Sequence, residues 1–136
     1  MTLRLAISGF GRIGRMTLRA FQEMGHQHME IVLINSPGPV QTSAHLYEFD
    51  SIHGRSVGKV THGEDWMDVG TGNIHMSHER DPANIPHTAH GVDIILECSG
   101  KFNSREGSAA HLAAGAKKVL VSAPCKNADQ TIVFGV

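Results

Sequence analysis

Gly9-Phe10-Gly11-Arg12-Ile13-Gly14 is the stretch that decides the fold. The six residues fit the G-x-G-x-x-G pattern. In it the first glycine permits a tight turn, the second lets backbone approach a pyrophosphate, and the third lets helix and strand pack closely. A bare glycine pattern is weak, because any tight strand-to-helix turn can collect glycines, so the flanks carry the argument. Leu3-Arg4-Leu5-Ala6-Ile7 is short and, position 4 apart, apolar, as a buried strand of a parallel sheet should be. Ile13, Met16, Ala20, Phe21 and Met24 recur at three- and four-residue steps and predict one apolar face of a helix, with Gly25 as its stop. Glu30-Ile31-Val32-Leu33-Ile34 predicts a second buried strand. Strand, glycine turn, helix and strand together make a βαβ unit with a right-handed crossover. A helix starting near Arg12 aims its free N–H groups and positive dipole end at phosphates. Arg12 and Arg15 either add charge there or are solvated or ion-paired surface residues.

Working outward, Pro37-Gly38-Pro39 is a loop, and residues 42–49 predict a short helix carrying Leu46 and Phe49 inward. From Val57 to His78 the character changes. Val57-Gly58-Lys59-Val60-Thr61, Trp66-Met67-Asp68-Val69 and Asn73-Ile74-His75-Met76 are short, partly alternating runs broken by glycines, which predict antiparallel strands appended to the main sheet. Asp81-Pro82 and Ile85-Pro86 fall in a loop or short helix start. The α/β rhythm then returns: a strand over 92–97, a helix over 105–114 closed by Gly115, a strand over 118–121 stopped by Pro124, and a last strand over 131–134. The fold class this predicts is α/β. It is a doubly wound, mostly parallel sheet of the dinucleotide-binding (Rossmann) type, with a small antiparallel insertion around residues 57–78 and one domain over 1–136.

At 136 residues the chain is long enough to bury a core without staples. Its formal net charge of −1 offers no basic surface, so neither nucleic acid nor an anionic membrane is an expected partner. Only two cysteines occur, Cys98 and Cys125, in no metal-like or redox-like spacing. The N-terminal apolar run is too short for a signal peptide, and no apolar stretch approaches membrane-spanning length, so a cytoplasmic location is the expectation. One element departs from the dinucleotide rule. A carboxylate about twenty positions after the glycines should hold the adenosine ribose hydroxyls. The second strand ends instead Ile34-Asn35-Ser36, with no carboxylate until Glu48. A carboxylate there would accept from both hydroxyls and repel a 2′-phosphate. Ser36 does neither strongly, so the expected cofactor is NAD with NADP tolerated.

With these residues in hand, the chain resembles the phosphorylating glyceraldehyde-3-phosphate dehydrogenase family, including its erythrose-4-phosphate dehydrogenase branch. The matching stretches are Gly9 to Arg15, Phe49-Asp50-Ser51-Ile52-His53-Gly54-Arg55, Glu79-Arg80-Asp81-Pro82, and Gly115-Ala116-Lys117-Lys118-Val119-Leu120-Val121-Ser122-Ala123-Pro124. The resemblance implies an oxidoreductase acting on a phosphorylated aldehyde, in glycolysis and as a homotetramer at full length. It implies that Gly9, Phe10, Gly11, Arg12 and Ile13 form the pyrophosphate turn and that Asn35 and Ser36 hold the adenosine ribose. It places Arg80 beside the adenine, and Ser99, Gly100, Phe102 and Ser122 along the path to the nicotinamide ribose. The segment from Asp50 to Arg55 is implied in subunit contacts. Two positions depart from the family: Ser8 stands for its usual asparagine and Ser36 for its usual aspartate.

The family's cysteine nucleophile lies in a Ser-x-x-Ser-Cys-Thr-Thr-Asn type signature, which does not occur among these residues. The resemblance therefore implies that the catalytic domain and the family's C-terminal helix are missing, that no catalytic residue is present, and that the chain alone is inactive. Cys98 reads as a small thiol in apolar surroundings rather than a nucleophile, and Cys125 has no histidine near it in sequence. The pairs His26/His28, His75/His78 and His87/His90 read as surface histidines, with no metal expected. Glyceraldehyde 3-phosphate is the substrate implied. Erythrose 4-phosphate is the alternative, suggested by Asn103-Ser104-Arg105-Glu106 and Ala109-Ala110-His111, and a free-standing, non-catalytic dinucleotide-binding module is another.

Overall fold

The computed structural model describes residues 2–25, 27–50, 54–55, 59–133 and 135. Strand β1 (Leu3–Ser8) leads through the glycine turn into helix α1 (Arg12–Met24) and back to β2 (Met29–Asn35), which pairs parallel to β1. Helix α2 (Val40–Glu48) follows, then the two-residue strands β3 (Phe49–Asp50) and β4 (Gly54–Arg55), which pair antiparallel in a small separate sheet. Strands β5 (Thr61–His62), β6 (Trp66–Asp68) and β7 (Asn73–Ser77) run antiparallel to one another, and β7 then joins β2 in parallel. A 3-10 turn at Pro82–Asn84, capped by the Asp81 carboxylate, leads to β8 (Ile94–Glu97), helix α3 (Arg105–Ala113) and β9 (Lys118–Val121). The main sheet has the order β5-β6-β7-β2-β1-β8-β9. The doubly wound sheet and its antiparallel insertion are thus as the sequence predicts, although Val57 and Gly58 lie outside the described residues.

Alternation along β1 divides the core in two. Leu5 and Ile7 face α1 and α2 with Leu18, Ala44 and Tyr47, whereas Ala6 faces Ile85, Val92, Ile95 and Ala116 on the side of α3. A strict two-residue period would put Ile31 and Ile34 on opposite faces. Both are in the first cluster because β2 slips register between Leu5 and Ala6, where Ile31 is followed in the pairing by Leu33. Val32 is the extra residue of that bulge. Arg4, the one charge in β1, is held at the sheet margin by an ion pair to Glu30 (2.6 Å) and a bond to the His90 carbonyl.

Three expectations need correction. The inward face of α1 is Gly14, Leu18 and Arg19, while Ile13, Met16 and Met24 are exposed. Contact at Gly14 fixes the rotation of the helix, so that of the apolar stripe read from the sequence only Phe21 packs against the core, while Ile13, Met16, Ala20 and Met24 are exposed. In α2 the buried residues are Val40, Ser43, Ala44 and Tyr47; Leu46 and Phe49 face outward. No strand forms over residues 131–133, where Ile132 and Val133 are exposed. The chain has by then left β9 and bridged through Lys126 to Ser104 at the start of α3; Phe134 lies outside the described residues.

Candidate functional site

The chain fills one side of the sheet through β2 and β7, then returns to the other side of β1 with β8 and β9. Strand order therefore reverses between β1 and β8, and ligands of open α/β sheets bind in the crevice outside the carboxyl ends at that point. Three segments meet there. Gly9 donates its N–H to the Asn35 carbonyl (2.8 Å), and Cys98 donates its own to Ser8 (2.8 Å), which ties the ends of β2, β1 and β8 together. Gly9 has φ +91, and a Cβ there would lie 2.5 Å from Ser99 Cα. Only glycine admits that approach.

The other two glycines have different neighbours. A Cβ on Gly14 would fall on the Gly9 carbonyl oxygen, so this glycine lets α1 lie against the turn. Gly11 has nothing within 4 Å of the Cβ it lacks, and its φ of −79 is open to any residue. No contact inside the chain requires glycine at 11. The open space stands directly before α1, whose N-cap is Gly11 itself, with no capping side chain and no acidic residue in the first turn. The N–H groups and positive dipole end of α1 are thus free for an anion, the arrangement a dinucleotide's pyrophosphate requires. Arg12 and Ile13 are exposed at this mouth. Arg15 instead curls back, donating from Nη1 to the Phe10 carbonyl (3.0 Å), and the Phe10 ring is buried against Tyr47.

At the end of β2 the Asn35 carboxamide is committed within the chain. Nδ2 donates to the Glu79 carbonyl, and Oδ1 accepts from Ser77 Oγ and the Glu79 N–H, all at 2.8 Å. Ser36 donates its N–H to Ser77 O (2.9 Å), and His78 Nδ1 bonds the Ser36 carbonyl at 2.9 Å. Arg80 is exposed just beyond. On the opposite wall Gly100 is exposed at φ +75, Ser122 donates its N–H to the Glu97 carbonyl (3.0 Å), and Phe102 is half-buried with its ring edge-on to His111.

Behind that wall lies a buried chain that sequence reading missed. Glu97, His111 and His87 are each 0% exposed. Glu97 accepts from the Ser99 N–H (2.8 Å), from Ser99 Oγ and from His111 Nε2 (2.5 Å). His111 Nδ1 meets His87 Nε2 at 3.2 Å. Burial pushes the Glu97 carboxyl up, but the His111 and Ser99 hydrogen bonds outweigh it and hold the group below its usual range. Burial and then the neighbouring His111 push His87 down to about 4. His87 is therefore an interior residue and not a surface one, because the 85–92 segment packs under α3. The signal available was Glu97 itself: a carboxylate closing an apolar strand needs a buried partner. Cys98 is half-buried, and burial raises its thiol pKa despite bonds to Ser122 and Thr17. Among the described residues, no three His, Cys, Asp or Glu side chains converge as metal ligands, and no helix is long and apolar enough to cross a membrane.

Comparison with known proteins agrees with this geometry. Residues 3–105 match the model of the glyceraldehyde 3-phosphate dehydrogenase NAD-binding domain. The chain is 57% identical over 136 residues to glyceraldehyde-3-phosphate dehydrogenase of Cereibacter sphaeroides, covering all of this chain and 40% of that protein. The enzyme of Xanthobacter flavus is also 57% identical, with 41% covered, and that of Pseudomonas aeruginosa is 49% identical over 138 residues, again with 41% covered. The chain thus spans about two fifths of the length of these relatives. With a model of this very domain matched over most of its length, the chain belongs to the glyceraldehyde-3-phosphate dehydrogenase family and carries its NAD-binding domain.

Proposed function

We propose that residues 1–136 act as one dinucleotide-binding unit and that the crevice between β1 and β8 seats NAD along a defined path. Gly9, Phe10, Gly11, Arg12 and Ile13 supply the turn and the N–H groups for the pyrophosphate. Asn35 and Ser36 form the adenosine-ribose ledge, with Arg80 beside the adenine. Ser99, Gly100, Phe102 and Ser122 line the nicotinamide-ribose side. When bound, the nicotinamide supplies hydride-accepting chemistry. The residues of this chain bind and orient it, and the reacting cysteine belongs to another part of a full-length enzyme. That enzyme oxidises a phosphorylated aldehyde, glyceraldehyde 3-phosphate, as a cytoplasmic homotetramer, and this chain by itself is inactive. Erythrose 4-phosphate is the second substrate reading, carried by Asn103-Ser104-Arg105-Glu106 at the start of α3.

The observation that carries the proposal is the space at Gly11 in front of an uncapped helix. Gly11→Val should leave the fold intact, changing stability by less than about 1 kcal/mol, because nothing in the chain occupies that space. It should weaken NAD binding in calorimetric titration at least about tenfold, because the side chain takes the place of the pyrophosphate. Unchanged NAD affinity in a folded Gly11→Val protein would remove the site from the glycine turn.

A further inference from the structure

The ledge at the end of β2 has few unspent polar atoms. Both ends of the Asn35 carboxamide are engaged, and the Ser36 N–H and carbonyl are engaged with Ser77 and His78. Ser36 itself is buried and offers only its hydroxyl. His78 is exposed and differs in kind. With its Nδ1–H directed to the Ser36 carbonyl, its Nε2 is the free edge of the ring, immediately beside the position where a dinucleotide domain ordinarily carries a carboxylate.

We propose that His78 replaces that carboxylate as the group that reads the ribose 2′ position, and that it makes the pocket accept the 2′-phosphate of NADP as well as the 2′-hydroxyl of NAD. Imidazole Nε2 accepts from a hydroxyl when neutral and donates to a phosphate oxygen when protonated. A carboxylate serves only the first and repels the second. The neighbouring charges do not cancel this. Glu79 and Arg80 are adjacent and opposite in sign, and Asp81 Oδ1 is turned into its own 3-10 turn toward Ala83 N. The loop from Ser36 to Pro39 contains no titratable residue, and across the turn the exposed side chain at the start of α1 is the cation Arg12.

The inference rests on reading the crevice as the dinucleotide site, and the test separates the two. NAD and NADP are titrated calorimetrically into the purified protein and into its His78→Ala, His78→Asn and Gly11→Val variants. The expected result is NADP binding at least about tenfold weaker in His78→Ala, with NAD changed no more than about threefold, as losing a charge-assisted bond exceeds losing a neutral one. His78→Asn retains a donor for the Ser36 carbonyl but no chargeable edge, so it should lose NADP equally. If His78→Asn instead restores NADP binding, or if both cofactors weaken by the same factor, His78 merely props the ledge and the proposal falls. NAD binding that disappears in Gly11→Val while NADP never binds any form overturns the His78 proposal alone. Failure of both cofactors to bind the parent protein overturns the site as well.

Discussion

His87 lies wholly out of water, with Nε2 shared with His111 and Nδ1 without a hydrogen-bond partner among the described residues. An unfolded histidine takes up its proton near pH 6.5, whereas His87 in the fold resists to about 4. Between those values the unfolded chain binds the extra proton. Stability therefore falls as pH drops through that window, by roughly 3 kcal/mol at its lower end. Glu97 and Asp93 act in the same direction further down. Their lowered folded-state values mean that a contribution present at neutral pH is lost once they are protonated in the fold. His87→Leu, similar in volume and unable to titrate, should flatten the decline between pH 6.5 and 4 in urea unfolding. An undiminished slope in that variant would place the acid sensitivity elsewhere. The glycine turn was legible residue by residue because its chemistry is local. The Glu97–His111–His87 chain was not, since it joins residues 14 and 24 apart in sequence on a strand, a helix and a turn, and pairing at that range leaves no period to read.

At the scale of elements, α3 is the helix with a well-made start. The Ser104 hydroxyl accepts from the Gly107 N–H (3.0 Å), and Glu106 lies in the first turn near the positive dipole end. The two neighbours of Ser104 anchor the returning chain, since Lys126 donates its N–H to Asn103 O (3.0 Å) and Arg105 donates its N–H to Lys126 O (2.8 Å). Ser104→Ala should cost about 1 kcal/mol, seen as a Tm lower by several degrees in thermal unfolding. An unchanged Tm would mean that the Asn103–Lys126 ladder alone holds the helix start. Helices α1 and α2 show what periodicity does and does not reveal. The existence of both helices and the end of α1 at the Gly25 stop, where φ is +63 and the Gly25 N–H reaches the Phe21 carbonyl (3.2 Å), follow from the sequence, whereas α2 begins at Val40, before the start read for it. Which stripe faces inward does not follow. In α1 the close approach of Gly14 to Gly9 sets the rotation and brings Leu18 inward one turn later, with Phe21 at the core's margin and Ile13, Met16 and Met24 left exposed. Residues 131–133 are the converse case: β-prone side chains that make no strand, because propensity alone does not supply a paired edge.

At the scale of the whole molecule, the doubly wound, mostly parallel sheet follows from the sequence pattern and the connection rules, since each parallel crossover must return on the same hand. The bulge at Val32 does not, because it is visible only once β1 and β2 are paired. The contact between Gly9 and Ser99 has a consequence beyond holding two loops together. If the crevice seats the cofactor as proposed, that seat is shared by residues 90 positions apart and comes into being only when β8 has docked against β1. An intermediate holding only the first βαβ unit presents a glycine turn but no opposite wall. On the proposed site, NAD should act as an inspector of completed folding, stabilising the finished sheet and nothing before it. At a hundred times its dissociation constant NAD should add about 2.7 kcal/mol to unfolding. A fragment ending at Asn35 should gain no protection from proteolysis at any NAD concentration. Protection of that fragment would show that the seat is built from one wall alone.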